Sequence, residues 1–146
     1  MYKITATELL DKSDVKQIPA IFHDNFLEFL VKVNQFRMLF GKPMSPTSFF
    51  RSQSKQIAIY KNKAKKKEFP FTDGVFDASK VPMGSVHMKA AACDFADPHG
   101  EIGKWIMAHK NILPKLGLYV ENPTKTKGWF HIQSIAPASG NHIFNP

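Results

Sequence analysis

The sequence predicts an α+β fold, on three observations. Apolar residues between Phe22 and Phe40 recur at steps of three and four, the period of a helix with one face in a core. A second stretch, Glu101 to Lys115, places Ile102, Trp105, Ile106 and Ile112 at comparable spacing. Two short runs near the end, Leu118 to Glu121 and Trp129 to Ile135, flank a segment of loop formers and read as paired strands. Helices early and in the middle, with a hairpin late, belong to an α+β arrangement. With 146 residues the chain can bury one core, and it reads as a single domain, 1–146, whose first part, 1–43, is helical.

The elements follow in order. Thr5 to Lys16 holds Thr7-Glu8-Leu9-Leu10 and a turn near Lys12-Ser13-Asp14, a short helix with a polar restart. Pro19 to Phe40 is the clearest helix, with Phe22, Phe26, Phe29, Val33, Phe36 and Phe40 on one face and Leu30 beside them. Gly41-Lys42-Pro43 ends it, as glycine past a helix end followed by proline should. Ser45 to Ser52 reads as an extended segment entering a turn, and Gln56 to Phe69 as a weak, lysine-rich helix. Phe69 to Gly74 breaks that helix and opens a long loop to Pro82-Met83-Gly84; loops of this length often serve a neighbouring site. Ala90 to Ala96 is small and apolar, a buried strand carrying Asp94 near its centre. Asp97 to Gly100 forms a turn, Glu101 to Lys115 one helix ending near Pro114 and Gly117, and the tail after Pro137 is polar and expected to be irregular.

Composition narrows the function classes. No apolar run is long enough to span a membrane, and the start, MYKITATELLDKSD, lacks the apolar stretch of a signal peptide. Cys93 is the single cysteine, so no internal disulfide forms, which fits synthesis in a reducing compartment. The net charge of +8 favours anionic partners: nucleic acid, acidic lipid or a bacterial wall. Much of it sits at Lys61, Lys63, Lys65, Lys66 and Lys67, for which the plain reading is a solvated face or loop. No stacking-aromatic module or recognition-helix pattern accompanies the charge, so nucleic acid is not the expected partner.

His87 and Asp94, with six residues between them, and His131 in the last predicted strand form the chemistry-bearing set. Two imidazoles and a carboxylate suit a catalytic zinc, because they leave its fourth position open. Each has a bland reading: a loop histidine, a satisfied strand histidine and a paired carboxylate. Asp94 resists that reading most, because a charge in an Ala/Cys/Phe strand is costly unless paired or metal-bound. His23 and His109 fall on predicted helices and His99 and His142 on turns, which makes them weaker ligands.

The pattern Ser85-Val86-His87, Asp94 and Trp129-Phe130-His131 resembles the zinc metallopeptidase superfamily of D-alanyl-D-alanine carboxypeptidases, phage L-alanyl-D-glutamate endopeptidases and the hedgehog signalling domain (peptidase M15-like). A helix ending in Gly41-Lys42-Pro43, followed by Phe49-Phe50-Arg51-Ser52, is similar to the usual prelude in these proteins, so the resemblance covers roughly Phe26 to Ser134. It implies a small antiparallel sheet carrying Zn2+ on His87, Asp94 and His131, with helices packed on one side, and makes 44–146 the metal-site part.

The resemblance also bears on catalysis. In many of these peptidases an acid lies three positions before the last histidine ligand; here that position is Gly128, a departure from the pattern. In the hedgehog domain an acid instead ends the preceding strand, and Tyr119-Val120-Glu121 is similar, which makes Glu121 the candidate base. An exposed hairpin glutamate is the plain alternative, and Asp97 or Glu101 are other acids for the role. Arg51 corresponds to an arginine that holds a substrate carboxylate or developing oxyanion, against the plain reading of a surface arginine. Ser85 is expected to support the site by hydrogen bonding, Trp129 to pack or line the cleft, and Cys93 to point away from Asp94 by strand alternation.

Together these imply a monomeric zinc-dependent peptidase cleaving peptidoglycan stem or cross-link peptides, of phage or prophage type. It would be made in the cytoplasm and act at the bacterial cell wall after release or within a virion. A catalytically impaired zinc-containing binding or structural module of the same fold is the alternative, favoured by Gly128. A basic nucleic-acid-binding protein is a third reading, recognisable by salt-sensitive DNA binding that survives zinc removal.

Overall fold

Helix α1 (Ala6–Asp11) begins at Thr5, whose hydroxyl accepts from the Glu8 N–H while the Glu8 carboxylate accepts from the Thr5 N–H, a reciprocal cap. A short 3-10 turn, Ala20–Phe22, leads into α2 (His23–Phe40). In the computed structural model, which describes residues 2–146, α2 buries Phe29, Val33 and Phe36 completely, as their spacing predicts. It ends at Gly41, which takes a left-handed φ of 78° and donates to the Arg37 carbonyl.

After α2 the chain lays down β1 (Pro46–Ser48) and then α3 (Gln53–Lys65), whose N-cap Ser52 accepts from the Lys55 N–H. The end of α3 is closed by Lys67 N–H to the Ala64 carbonyl and Glu68 N–H to the Lys63 carbonyl, with Lys67 at a φ of 54°. Helix α3 and the following loop share a small core of their own, in which Ala64, Phe71 and Val81 are buried and Ile57, Tyr60 and Phe76 pack around them. The buried Gln56 side chain donates to the Pro82 carbonyl and ties the helix to the returning loop.

Strand β2 (Ala92–Asp97) follows, then α4 (Glu101–Ala108) and α5 (Ile112–Leu116). The single helix expected over Glu101 to Lys115 is therefore two. Proline clashes with the carbonyl four residues earlier, which for Pro114 is Lys110. The chain leaves the helix at His109 (φ −129°) and restarts so that Pro114 falls in the first turn of α5, where its missing N–H is harmless. Strands β3 (Tyr119–Glu121) and β4 (Gly128–Gln133) are joined through a 3-10 turn at Pro123–Lys125.

The tail also departs from expectation. Instead of being irregular throughout, it forms β5 (Ile143–Phe144), parallel to β3 and held by Val120 N–H to the His142 carbonyl and Asn122 N–H to the Phe144 carbonyl. Two apolar residues are too few for strand alternation to be read, yet they suffice to cover a sheet edge. The sheet order is β1-β2-β4-β3-β5, antiparallel at every pairing except the last.

One sheet face is the core. Cys93, Phe95, Val120, Phe130 and Ile132 are fully buried there, with the Phe36 ring of α2 stacked on Phe130 at 5.8 Å and edge-on to Trp105 of α4 at 5.5 Å. This cluster runs from Ile4 to Ile132, so the N-terminal helices and the sheet share one interior. Among the described residues no helix is long and apolar enough to cross a membrane.

Candidate metal centre

Strand register builds the site. Asp94 pairs with His131 across β2 and β4; Tyr119 pairs with Gln133 and Val120 with Ile132 across β4 and β3, which leaves Glu121 one position past the last pair, on the His131 side. Ser48 of β1 flanks Asp94 on one side and Phe144 of β5 flanks Glu121 on the other. Because side chains alternate along a strand, Asp94, His131 and Glu121 form a row on the face opposite Cys93, Val120 and Ile132.

His87 reaches the same face from a 3-10 turn, Val86–Lys89, that ends in a left-handed Ala90 (φ 55°) just before β2. Its backbone carbonyl accepts from the Arg51 N–H at 3.2 Å, and its Nδ1 lies 2.6 Å from the Phe49 carbonyl. That partner is an acceptor, so Nδ1 carries the proton and Nε2 presents its lone pair to Asp94 Oδ1 at 3.4 Å.

His131 is turned the other way. Its Nε2 donates to Gln133 Oε1 at 2.8 Å, and the Gln133 amide is oriented by donating to the Ile135 carbonyl at 2.7 Å. Nδ1 therefore faces Asp94 Oδ1, at 2.8 Å. When both imidazoles are neutral, one carboxylate oxygen lies between two ring lone pairs, a convergence of acceptors that calls for a cation. The ligand atoms of His87, Asp94 and His131 all lie within 4.8 Å of one another, and the group can hold a metal ion. The donor set fits such an ion, because each imidazole has its other nitrogen tied to an oxygen, the usual support for metal-binding histidines.

Charge is distributed to match. Burial opposes ionisation of Asp94, but the His131 bond and the two imidazoles beside it outweigh burial and hold the carboxyl well below its ordinary range. Burial lowers the pKa of His87, against the pull of Asp94. Burial would lower His131 too, yet its bond to Asp94 and the nearby Glu121 charge raise it. Arg51 places Nη2 3.6 Å from Asp94 Oδ2, the oxygen turned away from the imidazoles.

Glu121 is partly buried, and its Oε2 is shut from solvent without a hydrogen-bond partner. Burial raises its pKa, His131 pulls it back down, and Asp94 adds to the rise. The structure thus brings His87, Asp94, His131, Arg51 and Glu121 into one neighbourhood. It leaves Asp97 and Glu101 elsewhere: Asp97 accepts from the Ile102 and Gly103 N–H groups at the start of α4, and Glu101 pairs with Lys42. Ser85 makes no side-chain cap; its carbonyl, not its hydroxyl, accepts from the Met88 N–H. Trp129 shares the strand face of His131 and is 37% exposed. Cys93 lies in the core with its thiol pushed up by burial.

Gly128 has a φ of 87° and is exposed, with open space where a Cβ would be. An acid there would be strained, and its side chain would share the strand parity of Phe130, away from His131. Gln133 escaped the sequence reading, although its place two residues after His131 on a strand put it on the same face. The Phe49 carbonyl left no sequence signal, because any residue supplies one. Of the other four histidines, three are engaged elsewhere: His23 with the Ile18 carbonyl, His109 with that of Trp105, and His142 with that of Leu118. A hollow of about 590 Å³ lined by Leu10, Ile18, Pro19 and Phe26 shares no residue with the site. Compared with family models, curated proteins and solved structures, the chain matched none.

Proposed function

We propose that this chain is a zinc-dependent peptidase acting on peptidoglycan stem or cross-link peptides. The observation that carries the proposal is the row Asp94–His131–Glu121 across three strands, completed by His87, which sets an acid beside a three-ligand group. His87, Asp94 and His131 would hold the ion, and bound zinc supplies a water of lowered pKa and polarises a carbonyl. Glu121, with an unpartnered Oε2, is suited to take up a proton there and return it to the departing amine. Arg51, partly exposed beside Asp94, is suited to neutralise a substrate carboxylate or developing oxyanion.

Gly128 favours a second reading, a zinc-holding module of the same fold that binds wall peptides without cutting them. One comparison separates the two: zinc content and muropeptide release from purified peptidoglycan, for wild type and Glu121→Gln. The peptidase predicts one zinc per chain and release that falls at least about a hundredfold in the variant, the scale of a lost general base. Zinc retained with no release by either protein selects the binding module. Absence of zinc from the wild type overturns both.

A further inference from the structure

The segment from Gln53 to Pro82 belongs to neither the main core nor the metal group. It packs on its own small cluster and carries seven lysines against three acids, a net of +4 of the chain's +8. Among the described residues none of these lysines joins an ion pair. Lys61 and Lys63 lean on the segment's own rings, over Phe76 at 5.5 Å and Tyr60 at 4.6 Å.

Large apolar side chains are left in water beside this charge. Phe69 is 76% exposed and Val75 66%. They are neighbours of the lysine run: Phe69 follows Lys67 by two residues, and Gly74, next to Val75, abuts the Lys67 stem, which lies 3.2 Å from where a Cβ would be. Lys67 itself occupies the left-handed helix-end position that normally selects glycine.

We propose that the tip of this segment docks on an anionic lipid bilayer. Lysines attracted to acidic headgroups, with an aromatic and a β-branched side chain entering the interface between them, form a combination that a membrane surface satisfies. A soluble polyanion would answer the lysines alone and leave Phe69 and Val75 in water. This inference does not depend on the peptidase reading.

The test is co-sedimentation of the full chain with vesicles of phosphatidylcholine alone and of phosphatidylcholine mixed with phosphatidylglycerol. Binding is expected to the mixed vesicles only and to weaken as salt rises. Phe69→Ser and Val75→Ser should each weaken it about tenfold, the scale of one apolar side chain withdrawn from an interface. Lys67→Gly should weaken binding while melting at the same or a higher temperature, which separates lost contact from lost fold. A Phe69→Trp variant should gain a blue-shifted emission component on the mixed vesicles. Absence of binding to them overturns the proposal. So does binding that is indifferent to both serine substitutions, which would mark attachment to polyanions by charge alone.

Discussion

Asp94 Oδ1 faces a nitrogen of each imidazole, and Gln133 decides which nitrogen of His131 that is. Replacing Gln133 with Ala should weaken zinc binding about 10- to 100-fold, measured by competition with a chromogenic chelator, with secondary structure unchanged. The pH behaviour follows from the same contacts. The pKa of His131 is raised in the fold, so its contribution to stability is fully present below about pH 6.5 and is lost as pH rises through the raised value. With chelator present, the gap in urea-unfolding free energy between wild type and His131→Asn should therefore shrink as pH rises through the neutral range. A gap that widens would mean that the Asp94 bond does not govern this histidine. Zinc binding, which must displace that proton, should tighten over the same range.

At the scale of elements, α2 buries Phe29, Val33 and Phe36 in the core shared with the sheet. Phe36 meets both Phe130 and Trp105, so Phe36→Ala should cost about 3–5 kcal/mol by chemical denaturation. This helix was legible because its period is long and its breaker, Gly41, stands next to it. The strands carrying Asp94, Glu121 and His131 were legible from apolar runs bounded by loop formers. Register was legible only in outline: Tyr119-Val120-Glu121 could be read as a hairpin strand across from the His131 strand, but the exact pairing of Val120 with Ile132 could not. The break between α4 and α5 was missed because Ile112 continues the apolar period past the point where Pro114 forbids the helix. Strand β5 was missed because its partner is remote and its length too short to alternate. Of the site, the three ligand candidates were visible as residue types at a spacing, whereas Gln133 and the Phe49 carbonyl acquire meaning only from distance.

For the whole molecule, the sheet has one face committed to packing and one to polar chemistry, and Trp129, Arg51 and the row of acids and histidines occupy the second. The lysine-bearing segment stands outside that division, with its own cluster of Ala64, Phe71 and Val81. Replacing residues 53–83 with a short glycine–serine linker should therefore leave zinc stoichiometry unchanged while abolishing adsorption to acidic vesicles. Loss of zinc together with the segment would show that the metal group leans on it.

The hydrogen bond from the Arg51 N–H to the His87 carbonyl clasps the chain where that segment departs and where it returns. Everything between is an excursion whose ends are already fixed by the site. In such a ring each doubling of length adds only about 0.6 kcal/mol of closure entropy. Descendants of this chain can thus lengthen, shorten or exchange the excursion while the ligand geometry at its neck is inherited intact.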